Sequence, residues 1–280
     1  MRLKTTLYGL MATIFAAPAM AQEALEIVGQ PKPRGLGFQP AATELARDLQ
    51  WLDGMILAII TIITVFVTAL MVYCIIRFNR RANPTPGTFT HNSPIEVAWT
   101  IIPIVVLVLI GAFSLPILFK QQEIPQADIT IKVTGYQWYW GYEYVDHEFG
   151  FDSFMLAQDE LEGAGYGPEQ YLLATDTAVV VPIGKTIVMN LTGADVIHSW
   201  AIPAFGVKQD AVPGRISQLW FAAEKEGIYF GQCSELCGKD HSYMPITIKV
   251  VSEEAYAKWL NGAIEEYAGL AQSFDVAAAE

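Results

Sequence analysis

The 280-residue chain is 52% hydrophobic and only 16% charged, too apolar for an ordinary soluble protein and suited to a chain with membrane segments. Its net charge of -12 is uneven: residues 1–120 hold 9 Lys/Arg against 6 Asp/Glu, and residues 121–280 hold 8 against 23. So acidic a C-terminal part speaks against a nucleic-acid binder and favours cationic partners.

Residues 1–21 read as a secretory leader that is cleaved off. Arg2 and Lys4 form the basic start, 7–17 is an apolar run too short to span a bilayer, and Ala19-Met20-Ala21 is an A-x-A cleavage site. Residues 22–54, rich in Pro, Gly and Gln, read as an extended exported arm. Residues 55–76 carry no charge between Asp53 and Arg77, which is enough chain to cross a hydrocarbon core about 30 Å thick. A second uncharged run, 97–119, lies between Glu96 and Lys120 and contains Pro103 and Pro116, where it could bend. The two runs make a transmembrane hairpin over 55–120. Its connecting loop, 77–96, has three Arg against one Glu, so the positive-inside rule puts the loop in the cytoplasm and both ends of the mature chain outside. Two spans form no pore alone, so packing against a larger membrane partner is expected. On the residues alone, Glu96 reads as a charge flanking the second span at the interface.

Beyond Pro125 the apolar period changes to two. Residues 128–134 alternate polar and apolar as a strand with one wet face. Residues 136–144 carry six aromatics in nine positions, more than a covered strand needs, and some are expected at a docking surface. Residues 146–171 read as an acidic surface excursion with one short helix at 159–163. Strand-like runs follow at 178–181, 186–191, 217–221, 228–231 and 246–251, separated by Pro-Gly turns. Short strands with such turns predict an antiparallel sandwich or barrel over 121–252. From Ser252 an amphipathic helix runs to about Gly269, with Tyr256, Trp259, Leu260 and Ile264 on one face, and the 253–280 segment ends in a disordered tail from Ala271.

The densest chemistry lies in residues 231–245, GQCSELCGKDHSYMP, with Cys233, Cys237, His241 and Met244; His198 lies upstream in DVIHSW. A disulfide is the general default outside the cell, but a Cys-x3-Cys loop is small and would leave His241 and Met244 without a purpose. Zinc would take two Cys and two His and has little use for Met244. Copper uses all of these soft or borderline donors. A mononuclear electron-transfer copper takes one Cys, so the second thiolate suggests a bridged pair, with one His on each copper and the weak positions left to Met244 and a loop carbonyl. Spacing alone favours copper and leaves zinc and a disulfide open. A site filled by protein donors suits electron transfer and has no place for substrate. Cys74, within the first span, reads as a packing residue.

At these residues the chain resembles subunit two of cytochrome c oxidase of the bacterial aa3 type. QWYWGYEY, DVIHSW, QDAVPGR and GQCSELCGKDHSYMP occur in that order after a two-span anchor. The resemblance implies a membrane-anchored all-β protein: a two-helix transmembrane hairpin, then a cupredoxin-like Greek-key barrel or sandwich and a C-terminal helix. It implies a binuclear CuA centre of two copper ions held by His198, Cys233, Cys237, His241, Met244 and the backbone carbonyl of Glu235. The Glu235 carboxylate would hold Mg2+ or Mn2+ at the boundary with subunit one, whose haems carry the oxygen chemistry. Trp138 would be the residue at which electrons come in, and Glu143 and Asp195 would help dock cytochrome c. Glu96 matches a glutamate at the mouth of a proton path into subunit one, and this replaces the flanking role. His91 and His147 match nothing functional. The resemblance implies a bacterial inner-membrane location with two spans, both termini periplasmic, and a role as the electron-accepting part of a proton-pumping oxidoreductase. Alternatives from other classes are an exported, membrane-anchored copper-delivery protein and a quinol-oxidase-like structural subunit without metal. Nitrous oxide reductase carries a similar copper loop, but on a long soluble chain.

Overall fold

The structure, a computed structural model, describes residues 25–267. The expected leader and tail lie outside these residues. The described chain runs β1 (Ile27–Gly29), α1 (Glu44–Arg77), α2 (Ser93–Gln122), ten further strands, and α3 (Glu253–Tyr267).

Two helices form the anchor. With 34 and 30 residues at 1.5 Å each, α1 and α2 are about 51 and about 45 Å long, well beyond a hydrocarbon core. α1 begins eleven residues before the apolar run. That first part is polar, which hid it from a reading based on hydropathy, and it was expected to be extended arm. Thr43 starts the helix: its hydroxyl oxygen accepts from Ala46 N–H at 3.0 Å and donates to the Phe205 carbonyl at 2.7 Å. One residue therefore caps the helix and ties it to the β-domain. Lys120 at the end of α2 reaches Glu44 at 2.7 Å and Asp48 at 2.6 Å on α1, and Trp220 Nε1 donates to the Lys120 carbonyl at 3.3 Å. The hairpin is thus fastened to the domain above it. α2 continues through Pro103 and Pro116 without interruption. At its start Asn92 caps the helix, and Glu96 Oε1 accepts from Asn92 N–H at 3.1 Å.

The remaining strands build a two-layer sandwich. They are β2 (Ile129–Tyr136), β3 (Tyr139–Tyr144), β4 (Phe149–Ser153), β5 (Val179–Pro182), β6 (Ile187–Gly193), β7 (His198–Ile202), β8 (Val207–Ala211), β9 (Ser217–Phe221), β10 (Gly227–Cys233) and β11 (Pro245–Val251). One sheet has the order β5-β11-β10-β7-β8, with β1 also paired to β10; the other is β4-β3-β2-β6-β9. The sheets are mixed: β1/β10, β5/β11 and β2/β6 pair in parallel. An antiparallel sandwich was expected, because period-two alternation reports a strand's wet and dry faces and carries no information on its direction. Residues 136–144 are a hairpin, with Gln137 and Trp138 between β2 and β3, and only part of them is strand. Residues 159–163 form turns; the short helix there is absent. The excursion also contains β4.

Trp140, Tyr142, Met189, Leu191, Trp200, Phe221 and Ile248 fill the space between the layers, all at most 2% exposed. Each such side chain contributes about 1.5–3 kcal/mol by leaving water. Trp200 on β7 donates from Nε1 to the Tyr142 hydroxyl on β3 at 3.2 Å, bridging the sheets. A smaller core of Leu156, Leu161, Tyr166, Leu173, Ile228 and Phe230 lies under the excursion and takes Leu25 and Ile27 of the N-terminal arm. Ser252 starts α3 by accepting from Ala255 N–H at 3.2 Å, and Trp259 packs on Tyr144 and Phe149.

Candidate metal centre

Strand pairing assembles the donors at one end of the sandwich. His198 opens β7 and Cys233 closes β10, two strands whose register sets Cys233 opposite Trp200. The chain then leaves β10 in a loop that returns as β11. Cys233 N–H donates to the Met244 carbonyl at 3.2 Å and Ser234 N–H to the Ser199 carbonyl at 2.8 Å, so both ends of the loop are pinned. A 3-10 turn, His241–Tyr243, directs His241 back toward the thiols.

The distances form a single cluster. The two Sγ atoms are 3.8 Å apart. Cys233 Sγ lies 4.0 Å from His198 Nδ1 and 3.3 Å from the Glu235 carbonyl oxygen. Cys237 Sγ lies 3.6 Å from His241 Nδ1 and 3.5 Å from Met244 Sδ. A disulfide needs about 2.05 Å, so the cysteines are free thiols. His198, Cys233, Cys237 and Met244 are all buried. Two thiols, two imidazoles, a thioether and a carbonyl at these separations fit a soft metal, and the Met244 sulfur fits copper better than zinc. The expected donor set is therefore brought together in full.

The electrostatics suit deprotonated donors. Burial opposes ionisation of Cys233, but the His198 imidazole, helped by the backbone at Glu235 and Ser199, brings the thiol below its ordinary value. Burial, and then the neighbouring Cys233, pushes Cys237 the other way. One thiolate thus forms readily and the second waits for a cation.

The surroundings hold the imidazole still. Asp195 Oδ1 lies 2.8 Å from His198 Nε2, which leaves Nδ1 facing Cys233. Trp140 packs edge-on to the His198 ring at 5.9 Å between centroids and donates from Nε1 to the Met244 carbonyl at 3.4 Å. Gly135 lies so close to the ring that a Cβ there would stand 2.8 Å from His198 Cδ2. Trp138 lies half-buried on the loop, its Nε1 donating to the Cys237 carbonyl at 3.2 Å, with Lys239 Nζ 5.5 Å from its ring centroid.

Two expected site residues stand elsewhere. Glu143, on β3, is held in a cross-strand ion pair with Lys132 at 3.1 Å. Glu96 sits in the first turn of α2, a helix length from the β-domain. Glu235 is exposed on the loop between β10 and β11. The residues missed from sequence were Gln137, Gly135 and Trp140, and the role of Asp195 toward His198. A carboxylate three residues before a buried histidine was the only signal for any of them.

Comparison with known proteins agrees with this arrangement. Residues 129–251 match the family described as cytochrome c oxidase subunit II, periplasmic domain, and residues 31–117 its transmembrane domain. The chain is 60% identical over 282 aligned positions to cytochrome c oxidase subunit 2 of Cereibacter sphaeroides, covering 94% of this chain and 93% of that one. It is 46% identical to the probable cytochrome c oxidase subunit 2 of Rickettsia bellii, covering 82% and 85%. Among solved structures, the periplasmic domain of subunit II from Bradyrhizobium japonicum is 52% identical, covers 52% of this chain and all of its own, and has a TM-score of 0.48. A two-span anchor, a sandwich with the donor cluster at one end, and identity along almost the whole chain place this protein in the cytochrome c oxidase subunit II family.

Proposed function

We propose that this chain is the electron-accepting subunit of a cytochrome c oxidase in a bacterial inner membrane. It receives electrons from cytochrome c and hands them to haem in subunit I, where oxygen is reduced and protons are pumped. The observation that carries this reading is the cluster of two free thiols 3.8 Å apart, flanked by His198, His241 and Met244 and enclosed by the fold. His198, Cys233, Cys237, His241, Met244 and the Glu235 carbonyl would hold two copper ions. Such a pair, when bound, supplies a one-electron store whose charge change is spread over two nuclei.

This chain's own residues do the rest. The two strands and the pinned loop fix the donors before metal arrives, which limits movement on reduction. Asp195 orients His198; Trp140 and Gly135 close the space around its ring against water. Trp138, on the loop and in contact with the Cys237 carbonyl, is where electrons come in. The acidic face of the domain steers the cationic donor. The exposed Glu235 carboxylate would hold Mg2+ or Mn2+ at the boundary with subunit I, and Glu96, at the far end of α2, would stand at a proton path into that subunit. In this reading the β-domain and both termini are periplasmic, the 78–92 loop is cytoplasmic, and residues 1–21 direct export.

The test is electron paramagnetic resonance with a copper count on the full chain, purified in detergent and loaded with copper. Two coppers and hyperfine structure from one electron shared equally by two nuclei support the reading. One copper with the pattern of a single nucleus overturns it in favour of a mononuclear carrier or copper-delivery protein.

A further inference from the structure

The β2–β3 turn touches both halves of the candidate centre. Gln137 backbone N–H donates to Asp195 Oδ2 at 2.7 Å, and the other oxygen of that carboxylate holds His198. The Gln137 side chain reaches the opposite way: its Nε2 donates to the Cys237 carbonyl at 2.8 Å, the oxygen that also accepts from Trp138 Nε1. One residue therefore connects the β7 donor to the loop donor and shares an acceptor with the indole beside it. The loop is shaped to receive this contact. Gly238 has φ +128, and a Cβ there would lie 3.1 Å from Gln137 Nε2 and 3.0 Å from Trp138 Cζ2. A side chain at position 238 would be strained by that φ and would crowd both donors.

We propose that Gln137 is a positioning residue, a clasp that locks the Trp138 indole and the Cys237 end of the loop onto the His198 side of the site. The argument rests on the copper-centre reading given above. Gln137 is exposed and contributes no packing to the core, so its effect runs through two hydrogen bonds, one backbone and one side chain. The backbone bond survives any substitution except proline. The side-chain bond is the variable one, and it acts at a strong acceptor: a carbonyl receiving two N–H donors is held in place from two directions. Without the amide, the Cys237 carbonyl keeps one donor at a longer 3.2 Å, and both the indole and the loop gain freedom.

The decisive variant is Gln137→Glu, which keeps the shape, replaces the donor with an acceptor and adds a negative charge. In a residue that merely contacts a cationic partner, that extra charge would speed association and leave copper release unchanged. A clasp predicts faster copper release and slower electron transfer within the preformed complex, so the two roles are separable. The oxidase carrying fluorotryptophan is compared as wild type, Gln137→Glu and Gln137→Ala, with the Trp138 fluorine resonance identified by Trp138→Phe. Copper release to a strong chelator is followed in the same preparations. The expected result is a shifted, narrower Trp138 resonance and copper release roughly threefold to tenfold faster, in keeping with the loss of one hydrogen bond to a neutral acceptor, and larger for Glu than for Ala. Electron transfer within the preformed complex with cytochrome c, measured at high ionic strength to screen docking charge, is expected to fall by a similar factor. An unchanged Trp138 resonance together with unchanged copper release overturns the clasp. A changed resonance and faster copper release with unchanged electron transfer keeps the clasp and overturns Trp138 as the point where electrons come in.

Discussion

Asp195 Oδ1 and His198 Nε2 are 2.8 Å apart, three residues from one another at the mouth of β7. The contact fixes which imidazole nitrogen faces the thiols. It also gives Asp195 work inside the site, beyond the docking role that the family resemblance implied.

Asp195→Asn removes the charge and keeps the size. An amide can present either its oxygen or its N–H to Nε2, so the imidazole loses a unique orientation. Copper affinity, read by chelator competition, is expected to fall about 10–100-fold, the usual effect of removing a ligand's outer partner. A residue concerned with docking alone would change only the salt dependence of the reaction with cytochrome c.

Trp138→Ala removes the indole and its bond to the Cys237 carbonyl. Stopped-flow reduction by cytochrome c is expected to slow by at least about tenfold, with copper content intact; a tenfold change corresponds to about 1.4 kcal/mol in the barrier. An unchanged rate would show that electrons come in elsewhere.

Lys239 places a positive charge 5.5 Å from the Trp138 ring centroid, within a strongly acidic domain. Its side chain is 77% exposed. Lys239→Gln is expected to raise the association rate with a Lys-rich cytochrome c about twofold at low salt. The two proteins should converge as ionic strength rises and the Debye length drops below about 10 Å.

Tyr142→Phe deletes the acceptor of the buried Trp200 N–H and leaves it unpaired between the sheets. The cost is expected to be about 1–3 kcal/mol. Thermal unfolding of the domain, followed by tryptophan emission, should move down by several degrees. A stability equal to wild type would show that the inter-sheet bond contributes nothing.

Glu224 is bonded to Arg47 through both carboxylate oxygens, and the guanidinium holds its carboxyl below the ordinary range. With a folded value lower than the unfolded one, the pair contributes stability above the unfolded carboxylate value of about 4.3 and loses it as pH falls through the lowered folded value. Both side chains are about half exposed, so the effect is small and salt-sensitive. The melting difference between wild type and Glu224→Gln should therefore be measurable near pH 7, shrink below pH about 4, and fade in high salt.

The donor loop was legible because it is local: four of its candidate donors fall within twelve residues, and their element types alone restrict the metal. The anchor was legible because two long uncharged runs have few other uses. What remained hidden depended on pairing at a distance. β7 and β8 lack a clear alternation: His198, Ser199 and Trp200 are all buried, one face by the core and the other by neighbouring chain. The parallel pairing of β2 with β6 joins segments separated by three strands, and no local pattern reports it. The contact of Asp195 with His198 is defined only once β7 is placed, and the ion pair of Glu143 with Lys132 only once the β2–β3 hairpin is formed; neither is visible in the local sequence.

The short β1 pairs with β10 from the far side of the membrane anchor: Ile27 stands opposite Ile228, about two hundred residues later in the chain. The sandwich is therefore discontinuous, started before the hairpin and finished after it. During synthesis the arm must wait beside the bilayer, unpaired, until nearly the whole domain has been made, which makes strand closure a late and slow event. A soluble fragment beginning after α2 would carry an open β10 edge and an uncovered Ile228–Phe230 surface, a ready template for sticking to its own copies.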